Sequence, residues 1–377
     1  MYVIGIGKTK FGVSSQNLIQ LASEAIDKAL EDSHLSKEDI QAVYVGNFLG
    51  GILQNQLHLN SVISGLFPNL HLPIIRVETA CASSSAALYQ ALLALHRFEH
   101  ILVLGVEKMT GYDIAVTSKA IAAAGEVDLD QKSGLSFPSS YAFIAQRYFE
   151  KYGATTDDLD LISFKAHQNA NLNHLAHFHH KQIELHKIKS SAVVSSPLKL
   201  FDCSPISDGA AAIIISNKKH SERDVEIIGS SLKTDFISLS QRDDFTSFTA
   251  AKLAAHEAYQ QAHLSPADVH VAEVHDCFTI AEMVAMEDLG FCQPGESKEW
   301  IRTGKTTLQG RLPINTGGGL KANGHPIGAT GVSQVCEIVT QLRGEAGSRQ
   351  VKNATIGLTH NIGGVGGTAV VHILKKG

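Results

Sequence analysis

Apolar residues along the chain fall into two kinds of run. Residues 100–107, "HILVLGVE", and 210–216, "AAAIIIS", are apolar almost without interruption, as strands are when both faces of their sheet are covered. Residues 81–97, "CASSSAALYQALLALHR", and 329–342, "ATGVSQVCEIVTQL", have helical length with small or apolar side chains on nearly every face, which predicts helices buried all round. Helices of that kind fit between two sheets, so the expected architecture is an α/β/α/β/α sandwich. From Met109 to about Lys199 the pattern turns polar and turn-rich, with amphipathic helices predicted over 138–152 and 157–176. This stretch reads as an insertion placed to cover a ligand.

The pattern also repeats. Residues 29–45, "ALEDSHLSKEDIQAVYV", match 258–274, "AYQQAHLSPADVHVAEV", without a gap, each copy reading as helix, turn, short helix and strand. Ser36 and Ser265 each precede an Asp by three residues, a helix-start signal in which the hydroxyl caps a backbone N–H, and Pro266 suits a first helical position. The strand patterns 208–216 and 366–374 match as well. The chain is therefore read as two related α/β halves, 1–221 and 222–377, with the insertion at about 109–199 in the first.

Composition narrows the partners. A net charge of -5 without runs of like charge disfavours nucleic acid or an anionic membrane and favours a small ligand. Five cysteines, an odd number, do not resemble a disulfide framework, so cytoplasm is the expected compartment. No run of about 18 apolar residues predicts a membrane span, and "MYVIGIGKTKFG" enters a strand pattern at once instead of reading as an export leader.

Candidate chemistry lies in three places. Cys81 stands at the first turn of a buried helix, where free N–H groups favour a thiolate and offer donors to an oxyanion; the same position also suits a small buried residue. His325 lies in "NTGGGLKANGHPIGATG" (315–331), a glycine-rich loop before the second buried helix. The repeat sets this loop opposite "ETACASS", so a pseudo-two-fold would bring His325 to Cys81 as a base. The turn "THNIGGVGGTA" (359–369) either completes an oxyanion hole with its N–H groups or is only a tight turn. The segment "EVHDCF" (273–278) falls opposite "YVGNF" (44–48), which has neither His nor Cys, and so reads as an acquired site. Two other motifs fail. "GKT" (7–9) and "GKTT" (304–307) lack the earlier glycine of a phosphate loop, and the histidine-rich run 167–186 lacks zinc-type spacing and reads as a solvated helix face. No metal site is expected.

With "ETACASSSAAL", "FDCSPISDGAAA", "EVHDCF" and "GGGLKANGHPIGATG" in this order, the chain resembles the thiolase family over its whole length, nearest its sterol-carrier-protein-type and archaeal acetoacetyl-CoA members. The resemblance implies a five-layer sandwich of two halves with an inserted loop domain. It implies an acyltransferase of lipid or fatty-acid metabolism that makes or thiolytically cleaves 3-ketoacyl-CoA. Coenzyme A and acetyl-CoA are then substrates, no cofactor is tightly bound, and the enzyme is a homodimer or homotetramer, with a larger complex with other CoA enzymes as a further implication. Carried over by motif, Cys81 is the acylated nucleophile and His325 the base. His275 joins His325 at the thioester oxygen, Cys277 carries the proton, and the N–H groups of Cys81 and Gly363 form an oxyanion hole. Most thiolases read "CIGG" where this chain reads "NIGG", so Asn361 replaces a cysteine and Cys277 takes over its proton transfer. Ser230, Phe137 in "SFPSS" and Asn323 are expected to contact coenzyme A. The rivals are another condensing enzyme of this fold, such as a ketoacyl synthase, and a non-catalytic subunit that binds acyl-CoA.

Overall fold

A computed structural model describes all residues 1–377. Nine strands form one mixed sheet: β1 (Tyr2–Lys8), β2 (Ala42–Gly46), β3 (Ile74–Val77), β4 (His100–Glu107), β5 (Gly209–Ser216), β6 (Val225–Thr234), β7 (Val271–Glu273), β8 (Ile356–Gly363) and β9 (Thr368–Lys376). Their order is β3-β2-β4-β5-β1-β6-β9-β8-β7. Apart from the edge strand β3, the order reads the same from both ends: β2 pairs with β4 in parallel as β7 does with β8, and β4 pairs with β5 antiparallel as β8 does with β9. A duplicated unit related by a two-fold has this signature. The expected division at 221/222 falls in the segment 217–224 between β5 and β6.

The two sheets expected from the sequence are two wings of this one sheet. They join only where β1 meets β6, through the pairs Tyr2 with Glu226 and Val3 with Val225. Two helices fill the space between the wings: α2 (Ser83–Ala94) and α7 (Thr330–Arg343). Ala87, Leu88 and Ala91 of α2 and Val332, Val335 and Ile338 of α7 share one core with Ile101, Val103, Ile213 and Leu374 from the wings. Alternation along β4 separates the layers. Ile101 and Val103 face this centre, while Leu102, Leu104 and Val106 face outward onto α1 (Leu18–Ser33) with Leu21, Ala25 and Ile26. On the other wing α5 (Thr249–Ala262) takes the place of α1. The result is the five-layer α/β/α/β/α sandwich. Each fully buried Leu or Ile adds about 1.5–3 kcal/mol.

The matched histidines of the repeat have a local cause. α1 ends at His34 (φ 57°) and α5 at His263 (φ 53°), each a left-handed cap whose N–H returns to the last helical carbonyls. Ser36 and Ser265 open these short turns in capping boxes with Asp39 and Asp268, whose carboxylates accept the serine N–H and O–H in return.

The insertion contributes α3 (Phe137–Tyr152) and α4 (Thr156–Asn171). Though inserted in the first half, it packs on the second: Tyr141, Ile144, Tyr148, Leu159 and Ile162 share a core with Ile280, Met283 and Val284 of α6 (Thr279–Asp288). That docking sets α3 over the segment that joins β7 to α6. No helix of the chain is long and apolar enough to cross a membrane.

Candidate active site

Cys81 sits two residues before α2, on a tight elbow. Ala80 holds φ 51°, an uncommon value for a residue with a side chain, and Ser83 fixes it by accepting from Thr79 N at 3.1 Å and donating to Ala80 O at 2.6 Å. Burial pushes the Cys81 thiol up to about 12, against the opposing pull of the Gly364 N–H on its sulfur. The helix start therefore does not yield a resting thiolate, contrary to what position alone suggests. The nucleophile needs a base.

Two histidines stand beside it. A ring nitrogen of His275, a ring nitrogen of His325 and Cys81 Sγ all lie within 4.8 Å of one another. The histidine rings meet edge to face, with centroids 5.3 Å apart at 86°. His325 is carried by a loop aligned with Ile206, and its Nδ1 lies 2.7 Å from Thr330 Oγ1 at the start of α7. His275 stands two residues past the end of β7, and its Nδ1 lies 2.8 Å from Asn361 Nδ2 on β8. Burial lowers the pKa of His325 to about 3 and that of His275 well below the usual range, so both rings rest neutral.

The two residues after His275 are tied in differently. Asp276 accepts Leu320 N at 2.6 Å and so ties this segment to the loop that carries His325. Gly319 makes room for it, since an added Cβ would meet Asp276 Oδ2 at 2.2 Å. Burial raises the Cys277 thiol, Cys81 raises it further, and a hydrogen bond from Tyr141 lowers it. The carbonyl of Cys277 accepts Ser204 N at 2.9 Å, which joins the "FDCSPISD" segment to "HDCF".

Of the residues singled out from sequence, Cys81, His275, Cys277 and His325 are brought together, and Gly363 and Phe137 lie with them. Gly363 ends β8 against Cys81's elbow, where an added Cβ would meet Thr79 O at 2.3 Å; the N–H that bonds the sulfur belongs to the next residue, Gly364. Phe137 reaches to within 4.0 Å of the Cβ position of Gly364. A recess of about 250 Å³ opens here, lined by Thr79, Ala80, Ala124, Gly363 and Gly364 among others. A larger groove of about 740 Å³ along α5 is lined by none of the site residues.

Two of the residues expected to contact coenzyme A do not line this recess. Ser230 lies four residues along β6 from Thr234, the partner of the recess residue Thr368, and its hydroxyl bonds His372 Nδ1 at 2.9 Å within the sheet. Asn323 ends a short helical turn that points its side chain away, where Oδ1 takes Lys8 Nζ at 3.1 Å and Asn173 Nδ2 at 3.4 Å. Neither reaches the cleft.

Two residues that support the site were not foreseen. Tyr141 is fully buried on α3, stacked on Phe278 (4.6 Å, 26°), and its hydroxyl serves both Gly364 O at 3.2 Å and Cys277. Glu107 ends β4 and collects Phe48 N, Leu49 N and Gly328 N at 2.9–3.0 Å, with Asn47 Nδ2 at 2.8 Å. An acidic residue closing a buried apolar strand was the available signal for Glu107. A tyrosine in an amphipathic helix gives none.

Comparison with known proteins agrees with this geometry. Residues 1–197 match the family described as thiolase, N-terminal domain, and residues 231–376 match thiolase C-terminal domain-like. The chain is 43% identical to the acetyl-CoA acetyltransferase of Methanothermobacter thermautotrophicus over 99% of both chains. It is 34% identical to sterol carrier protein 2 of Bos taurus, covering 100% of this chain and 72% of that one. Among solved structures it superposes on the Ltp2-ChsH2(DUF35) aldolase with a TM-score of 0.85 at 25% identity, covering 100% and 97% of the two chains. Human mitochondrial 3-ketoacyl-CoA thiolase shares the fold with a TM-score of 0.75 at 17% identity, covering 100% and 98%.

Proposed function

The chain belongs to the thiolase family, and from that premise we propose that this acyltransferase makes or thiolytically cleaves 3-ketoacyl-CoA through an acyl-Cys81 intermediate. The observation that carries the residue assignment is the meeting of Cys81, His275 and His325 within 4.8 Å beside Cys277.

Thiolysis then runs as follows. His325 takes the proton of Cys81, and the thiolate attacks the 3-keto carbon. Backbone N–H groups of Cys81 and the Gly363–Gly364 turn hold the resulting oxyanion, each donor contributing about 3 kcal/mol. The carbon–carbon bond breaks with its electron pair moving to the departing acetyl-CoA enolate. His275 and protonated His325 donate to the enolate oxygen, and Cys277 S–H protonates the carbon. The Cys277 thiolate then takes the proton of an incoming coenzyme A, whose thiolate displaces the acyl group from Cys81 as His325 returns the first proton. Two half-reactions through one covalent intermediate give ping-pong kinetics.

Coenzyme A enters as substrate, and Phe137 is the assigned contact supported by its place beside Gly364. A homodimer is part of the same reading: β3 is an open edge strand with Ile75 half-exposed, and Leu57 (76% exposed) lies beside it, its carbonyl accepting from Arg76 at 3.4 Å. The solved Ltp2-ChsH2(DUF35) aldolase pairs two proteins, and a complex of that kind is a further proposal here. Five unpaired cysteines support a reducing, cytoplasmic setting.

Incubation with acetyl-CoA followed by mass spectrometry tests the intermediate. An acetyl group on Cys81, with thiolysis of acetoacetyl-CoA plus coenzyme A, is expected. Acyl transfer to a carrier protein without thiolysis would overturn the assignment.

A further inference from the structure

The two histidines meet different partners through Nδ1, and chemistry beyond the roles above follows from that difference. At His325 the partner is Thr330 Oγ1, which also reaches Pro326 O at 3.2 Å. A carbonyl only accepts, so the single hydroxyl proton goes to Pro326 and Thr330 is left to accept from His325 Nδ1–H. The lone pair of His325 is then on Nε2. At His275 the partner is the amide nitrogen of Asn361. An amide nitrogen only donates, so His275 Nδ1 accepts and its proton sits on Nε2, a buried atom without a protein partner. The amide oxygen is turned toward α7, 2.8 Å from where a Cβ on Gly331 would stand.

We infer that Thr330 and Asn361 are positioning residues that hold the two active-site histidines in opposite tautomers, His325 as an Nε2 base and His275 as an Nε2–H donor. Asn361, which replaces the cysteine of the usual "CIGG", thus gains a role of its own. The inference rests on the acyl-Cys81 reading and says how that chemistry is divided. Two resting bases would leave the enolate oxygen with one donor, the protonated His325, and two resting donors would leave Cys81 without a base. With one of each, the S–H bond of Cys81 breaks, an N–H bond forms on His325 Nε2, and two N–H donors face the enolate. No carboxylate stands among the groups acting on His275, whose charged form is disfavoured by burial and then by His325 and His360. It acts as a neutral donor.

Nitrogen-15 NMR of protein labelled at histidine, with His275→Gln and His325→Gln for assignment, reads the tautomers directly. The expected pattern is Nε2–H at His275 and Nδ1–H at His325; the same tautomer at both overturns the inference. Function supplies a second arm. Asn361→Asp is nearly isosteric, but at pH 8.5 its carboxylate accepts Nδ1–H and strips His275 Nε2 of its proton. Thiolysis of acetoacetyl-CoA should fall about 100-fold, the scale of one lost oxyanion donor, while acetylation of Cys81 by acetyl-CoA continues. Thr330→Val should instead slow acetylation itself, and thiolysis with it, because both begin with proton transfer from Cys81 to His325. Unchanged thiolysis in Asn361→Asp would mean that the amide presents its oxygen to His275, and equal loss of both steps would mean that Asn361 only holds the pocket open. If wild-type protein takes no acetyl group, the acyl-Cys81 reading fails while the NMR result still decides the tautomers.

Discussion

The two halves share a fold but end their strands differently, and the contrast is sharpest after β2 and after β7. In the first half Gly46 lies under the start of α2, where an added Cβ would stand 2.4 Å from the backbone of Ser84. The repeat sets His275 opposite this glycine. The neighbouring strand ends differ in the same sense. β4 ends on Glu107, whose carboxylate gathers three backbone N–H groups, whereas β8 ends on Gly363, and the N–H of the next residue, Gly364, is left for the Cys81 sulfur. At these strand ends the first half is closed, by packing at Gly46 and by a carboxylate that also takes Gly328 N from the second half. The other leaves donors and side chains directed into a recess. A duplicated unit can thus place its nucleophile on one copy and its acid/base groups on the other.

Removing the group that most separates the halves should have the largest effect. Cys277 stands opposite Phe48, a side chain that cannot transfer a proton. Cys277→Ala should lower thiolysis by roughly 10²- to 10⁴-fold, the range of positioned proton transfer, while mass spectrometry still finds an acetyl group on Cys81. Full retention of thiolysis would reduce the contrast to packing. The first half is then probed at its seal. Gly46→Ala inserts a methyl group against helix backbone and should cost about 1–3 kcal/mol of stability in thermal or urea unfolding. A neutral result would mean that α2 can retreat and that the seal is loose.

Glu107→Gln tests the other seal. The side chain keeps its size but turns one acceptor into a donor facing N–H groups, so a loss of about 1–2 kcal/mol is expected from unfolding. The folded enzyme should remain able to acetylate Cys81, because Glu107 holds the loops of Phe48 and Gly328 and does not touch the sulfur's N–H donors. An abolished acetylation in a folded variant would move Glu107 from scaffold to site.

The sequence was most readable where one dimension carries the cause. The gapless match of 29–45 with 258–274 predicts the duplication because helix caps and buried strands are local patterns, and His34 and His263 do end matching helices. "GHPIGATG" and "HDCF" mark the site through the family resemblance they carry, since a lone histidine or a glycine-rich turn would by itself also suit a structural place. What sequence could not supply was direction. Ser230 is a hydroxyl on a strand, and only the register of β6 with β9 turns it toward His372. Asn323 precedes "GHP" by one residue, yet a short helical turn rotates it onto Lys8. Asn361 read as a missing cysteine, because its value lies in a hydrogen bond to a residue 86 positions away.

Tyr141 is the least legible of these residues and carries the smallest expected effect. Its phenol sits in an amphipathic helix of the insertion, where a buried tyrosine looks like any core aromatic. The structure stacks it on Phe278 and gives its one hydroxyl two neighbours, Gly364 O and the Cys277 thiol. It therefore joins the insertion, the proton carrier and the turn whose N–H meets Cys81. Tyr141→Phe keeps the stacking and removes only the oxygen, so folding should change little beyond the 0.5–1.5 kcal/mol typical of one hydrogen bond. The loss should instead fall on the step that uses Cys277. Thiolysis is expected to drop about tenfold, one hydrogen bond's worth of transition-state support, with acetylation of Cys81 within about twofold of wild type. A tenfold loss confined to acetylation would instead place Tyr141 with Gly364 on the nucleophile's side, and the insertion would then serve the first half's chemistry.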